Sequence, residues 1–173
     1  MGLLGETKPV KKPILGVSLY PEQETMKEIE NYLTMASRYG FTKIFTSMFS
    51  VPGTKEEVFD YFKNFCDLAH KHGMKVSGDC NTAFFKKMGA SESDISIFKE
   101  RGIDIIRMDL PYFDQRDVIL INNPYNITIE LSSCMIQAVR MALENGANPK
   151  NFSTCHNFYP ERYTASDLES IRS

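Results

Sequence analysis

Six short apolar runs recur along the chain, and each ends in a polar cluster: Ile14–Pro21, Thr42–Phe49, Met74–Asn81, Ile103–Leu110, Ile127–Ser132 and Asn151–Tyr159. Their starts are 28, 32, 29, 24 and 24 residues apart, close to the roughly 30 residues of one βαβ unit. Alternation this regular predicts an α/β fold with a parallel sheet, and its period favours a (β/α) barrel of the TIM type. A closed barrel has eight such units and typically needs about 250 residues. The 173 residues here hold about six of the eight strand–helix units.

The intervening segments carry helix signals. Thr25 with Glu28, and Thr54 with Glu57, have the spacing of a capping box, in which each partner satisfies a backbone donor of the other. Met26, Ile29, Leu33 and Ala36 then form an apolar stripe that stops at Gly40, and Val58, Phe62, Phe65, Cys66 and Ala69 form another that stops at Gly73. A third helix is predicted over 91–101 before Gly102, and a fourth over 135–145 before Gly146. A last one begins near Thr164. Aromatic and methionine side chains on these stripes read as core. The domain reading is a flexible basic lead-in over 1–13 and one incomplete barrel over 14–173, with no linker dividing it.

Composition narrows the function classes. The net charge of −2 gives no electrostatic reason to expect a nucleic-acid partner or an anionic membrane. No stretch approaches the ~18 apolar residues of a membrane span. The four cysteines, Cys66, Cys80, Cys134 and Cys155, form no C-x-x-C pair, a pattern expected of reduced thiols in the cytoplasm. An open six-stranded sheet has two unpaired edges, which invite self-association.

Function is expected at the C-terminal strand ends, where barrel enzymes place their chemistry. Side chains alternate along a strand, so parity sorts them into faces. In the fifth run Ile127, Ile129 and Leu131 suit packing under helices, which leaves Thr128, Glu130 and Ser132 facing the interior. The same rule groups Arg107 with Asp109, Ser77 with Asp79 and Asn81, and Gly16 with Ser18 and Tyr20. The predicted mouth therefore holds Tyr20, Asp79, Arg107, Asp109, Glu130, His156 or Asn157, and Tyr159.

Several chemistries fit poorly. The chain has neither of the common glycine-rich phosphate loops. Lys43 and Lys75 enter their strands at the N-terminal end, away from where a Schiff-base lysine would work. Of three histidines, His70 and His72 fall at the end of a helix, so no metal-ligand cluster is evident and no cofactor is called for. What remains is acid/base or glycosidic chemistry built on carboxylates, with Tyr, Asn and Arg contacting substrate.

The runs Leu15–Glu22 (LGVSLYPE), Tyr39–Ser47 (YGFTKIFTS) and His156–Pro160 (HNFYP) resemble the bacterial MupG-type 6-phospho-N-acetylmuramidases. Gly102–Leu110 (GIDIIRMDL) and Ile129–Ser133 (IELSS) fit the same pattern. The resemblance covers nearly the whole chain from residue 13 and implies a cytoplasmic glycosidase of peptidoglycan recycling. Its substrate would be a small phosphorylated amino-sugar disaccharide, 6-phospho-N-acetylmuramyl-N-acetylglucosamine, cut at the β-1,4 bond. Members of that family add a cyclophilin-like domain after the barrel, and this sequence does not include it. For such a reaction Asp109 and Glu130, which end neighbouring strands about 4.8 Å apart, are the candidates for general acid, and Asp79 is the candidate base or orienter of the substrate's acetamido group. Arg107 would hold a carboxylate partner or the lactyl group, and Tyr20, His156, Asn157 and Tyr159 would contact the sugars. Alternatives are a barrel isomerase or lyase using these carboxylates around a divalent metal, and a non-catalytic fragment that needs a partner.

Overall fold

The computed structural model describes residues 13–90, 94–108, 123–132 and 136–155. Six strands, β1 (Gly16–Ser18), β2 (Lys43–Ser47), β3 (Lys75–Cys80), β4 (Ile105–Met108), β5 (Thr128–Ser132) and β6 (Phe152–Cys155), form one sheet in sequence order. Every adjacent pair is parallel. All six lie within the apolar runs, as a period of one strand and one helix requires. The architecture is a partial (β/α) barrel.

Helices α1 (Met26–Arg38) and α2 (Lys55–Lys71) start where the capping signals place them. The Thr54 N–H donates to the Glu57 carboxylate at 2.8 Å, and the Glu57 N–H donates back to the Thr54 hydroxyl at 3.3 Å; Thr25 and Glu28 repeat the arrangement. Both helices end on a glycine with left-handed backbone, Gly40 at φ 83° and Gly73 at φ 74°, a conformation glycine adopts without Cβ strain. The apolar stripes are buried at Ile29, Leu33 and Ala36 on α1, with Met26 partly buried, and at Val58, Phe62, Phe65, Cys66 and Ala69 on α2.

The third helical region differs from the expectation. It holds an unexpected short helix, α3 (Thr82–Lys87), ahead of α4 (Ser96–Glu100), which lies within the expected span 91–101. Asn81 ends the β3 run and caps α3, its side-chain oxygen accepting the Phe84 N–H at 2.9 Å. Phe84 and Phe85 of α3 then pack on Phe98 of α4, with ring centroids 6.4 and 5.1 Å away. Helix α5 (Ile136–Glu144) occupies the fourth helical region. The expected last helix lies outside the described residues.

Burial alternates along the strands. Ile44, Val76, Ile106, Met108, Ile129 and Leu131 are fully buried under the helices. At Gly78 on this face, a Cβ would collide with the buried Met48 side chain, so the close approach needs glycine. Lys43, Phe45, Asp79, Arg107, Glu130 and Ser132 point to the opposite, partly open face. That face is the barrel lumen.

Hydrogen bonds from the Thr54 backbone and hydroxyl hold the Glu57 carboxyl below its ordinary value. The folded state is therefore favoured fully above the ordinary glutamate range, and this contribution fades as pH falls through the lowered value. Thr54→Ala should lower Tm by a few degrees at neutral pH. The difference from the unmodified protein should shrink on acidification. Thermal melts at pH 7 and pH 3 check both expectations.

Candidate active site

The strand register places the interior polar residues side by side. Ser47 pairs with Asp79, Asp79 with Arg107, Arg107 with Glu130, and Glu130 with Ser153. Neighbouring strands lie about 4.8 Å apart, so the Asp79 and Glu130 backbones flank Arg107 at about 10 Å from each other. The Arg107 guanidinium sits 5.1 Å from the centre of the Phe45 ring. Its Nε is 3.9 Å from Asp79 Oδ1, and its Nη2 donates to the Ser132 hydroxyl at 3.4 Å. Arg107 thus joins side chains from β2, β3 and β5, through a ring face, a carboxylate and a hydroxyl.

Glu130 lies mid-strand, and Lys43 donates to its Oε2 at 2.7 Å. These residues belong to β5 and β2, which are separated by two strands. Phe45, Ser77, Ile105 and Thr128 form one hydrogen-bonded row. Lys43 stands two residues before Phe45 and Glu130 two after Thr128, a stagger of four along the sheet. Strands tilted by about 36° to a barrel axis bring such staggered positions to similar height, and the curl of the sheet brings them face to face. Lysine at a strand start reads as a stability feature from sequence. The structure carries its ammonium into the lumen.

A cavity of about 470 Å³ runs along this wall, bounded by Ser18, Tyr20, Lys43, Phe45, Arg107 and Glu130. Of the sequence-predicted residues, Tyr20, Arg107 and Glu130 share this cavity, and Asp79 lies beside it against Arg107. Asp109, His156, Asn157 and Tyr159 fall outside the described residues. Sequence reasoning missed Lys43 and Phe45 as lumen residues. Strand parity places Phe45 opposite Ile44 and was the available signal for it.

Among the described residues, the remaining reactive side chains serve structure. Cys80 is buried, with its sulfur 3.6 Å from the Arg107 carbonyl oxygen, and burial pushes its thiol well up. Burial does the same to Cys66. Such thiols are poor nucleophiles. His70, in the last turn of α2, meets Asp104 at 2.8 Å, and Asp104 also accepts the Val76 N–H at 2.8 Å. This contact ties α2 to the strands, away from the lumen. Among the described residues no three His, Cys, Asp or Glu side chains cluster as metal ligands. No described helix is long and apolar enough to cross a membrane.

A family model described as 6-phospho-N-acetylmuramidase, N-terminal, matches residues 15–173. The chain belongs to this family. Among solved structures, this muramidase-family barrel is similar to an uncharacterized B. cereus protein, at 33% identity and a TM-score of 0.68. The match covers 89% of this chain and 41% of that one. A conserved Enterococcus faecalis protein of unknown function follows at 20% identity and TM-score 0.70, covering 92% and 44%. A Thermobaculum terrenum O-GlcNAc hydrolase, at 11% identity and TM-score 0.56 over 92% and 44%, shares the fold. The chain thus spans less than half the length of these relatives. Curated protein sequences give no match.

Proposed function

We propose that the lumen binds the 6-phospho-N-acetylmuramyl-N-acetylglucosamine disaccharide and contributes to hydrolysis of its β-1,4 bond, a step in peptidoglycan recycling in the bacterial cytoplasm. The observation that carries this reading is the family match over residues 15–173 on a chain whose lumen wall holds Asp79, Arg107 and Glu130 side by side. In the reaction a carboxylic acid protonates the departing oxygen of N-acetylglucosamine as the bond to the muramyl anomeric carbon breaks. A water oxygen then joins that carbon and gives its proton to a carboxylate. Asp79, Glu130 and Asp109 are the proposed carboxyl groups. The substrate's acetamido oxygen is the alternative nucleophile in the substrate-assisted variant of this chemistry. Arg107 suits the negatively charged lactyl group, and the half-exposed Tyr20 ring suits a sugar face. His156, Asn157 and Tyr159 are proposed as further sugar contacts.

The test is release of N-acetylglucosamine from the disaccharide with and without its 6-phosphate, by this chain and by a full-length relative in parallel. Phosphate-dependent cleavage by both is the expected result. Cleavage by the relative alone would move the decisive groups to the segments this chain does not span. Cleavage by neither would reject the reading.

A further inference from the structure

Lys43 and Glu130 bound two cavities. One is the lumen cavity that reaches Tyr20 and Arg107. The other, of about 450 Å³, lies toward the N-terminal strand ends and is bounded by Lys75, Ile105, Thr128 and Ser153. Their ion pair stands between the two, as the floor of the upper one. Its side chains are 26% and 12% exposed, so the pair is partly shielded from water.

An ammonium group has donors and no acceptor. In the 2.7 Å contact the lysine therefore donates and Glu130 Oε2 accepts. A general acid must instead aim a proton of its own at the departing oxygen. The Lys43 aliphatic stem also fixes where Glu130 points, because the lysine is anchored three strands away, on β2.

We propose that Lys43 is a positioning residue of this site. It fixes Glu130 on the lumen floor as the charged, accepting carboxylate of the reaction, so that protonation of the departing sugar falls to another carboxyl group. This inference rests on the glycosidase reading above. It separates two roles that the sequence leaves open, and it moves Lys43 from the stability rim into the machinery.

The test compares the unmodified chain with Lys43→Met, Lys43→Arg and Glu130→Gln on two substrates. One is the 6-phosphorylated disaccharide. The other is the 4-nitrophenyl glycoside of 6-phospho-N-acetylmuramic acid, whose leaving group departs without protonation. Lys43→Met should lower kcat about 10²-fold on both substrates, as a displaced catalytic group does, with KM little changed. Lys43→Arg, which keeps a donor, should recover part of the loss. Glu130→Gln should be equally impaired on both. A Glu130→Gln variant that cleaves the nitrophenyl glycoside at a near-normal rate would make Glu130 the acid and overturn the proposal. So would a Lys43→Met variant with unchanged kcat, which would leave the pair as a mere brace.

If neither the unmodified chain nor the full-length relative cleaves either substrate, the glycosidase reading has failed. The placement of Glu130 is then judged by side-chain ¹³C NMR of the unmodified protein. A charged carboxylate at neutral pH, whose resonance moves in Lys43→Arg, supports the pairing. A protonated carboxyl, or one indifferent to that substitution, overturns it.

Discussion

Glu130→Gln is expected to lower turnover of the phosphorylated disaccharide by about 10² to 10⁴-fold, the range for a lost acid/base group, while leaving the fold intact. Glutamine keeps the volume of glutamate and offers Lys43 a carbonyl oxygen in place of a carboxylate oxygen. Breaking a fully buried ion pair by removing one partner is strongly destabilising. Here the lysine is 26% exposed, so water can share in solvating the ammonium that loses its counter-charge. The substitution should therefore separate chemistry from stability. Steady-state release of N-acetylglucosamine measures the first, and a thermal melt within a few degrees of the unmodified protein checks the second. Turnover close to normal would remove Glu130 from the mechanism. A large fall in Tm would show the pair to be a structural brace, whatever its part in catalysis.

Phe62→Ala should have the largest effect on stability. Phe62 is fully buried on α2, 5.5 Å from Tyr61 and 6.3 Å from Phe65 between ring centres, both in edge-on geometry. Truncating a buried phenylalanine costs about 3–5 kcal/mol, from lost transfer free energy plus the cavity left behind. A domain of ordinary stability has about 5–15 kcal/mol in all, so the variant should be close to unfolding at physiological temperature. In urea the midpoint should fall while the slope stays constant. A loss under about 1 kcal/mol would mean that α2 is not packed on the sheet as described.

What the sequence reveals and what it hides divide along local and non-local lines. The strands are legible because a parallel sheet buried under helices leaves continuous apolar runs, and a fixed crossover length sets their interval. Helices α1 and α2 are legible because Thr25 and Thr54 act within four residues of themselves. Helix α3 escaped notice because six residues are too few to show a 3.6-residue period. Asn81, its cap, reads equally well as the polar end of β3. Parity does put Arg107, Glu130 and Ser132 on the lumen face. It says nothing of strand tilt and curl, and those decide that Lys43 meets Glu130 across two intervening strands. The link between Phe45 and Arg107 was hidden for the same reason.

The strand order carries a consequence for how the molecule assembles. Each strand pairs with the one made just before it, so no pairing in the sheet requires closing a loop longer than one strand–helix unit. Such a sheet can grow vectorially as the chain leaves the ribosome, each new strand meeting an edge already in place. The Lys43–Glu130 bridge joins residues 87 positions apart and needs four strands in position first. It can close only after the curvature exists. The contact that shapes the lumen floor is thus a late fastening on a scaffold that local pairing has already raised.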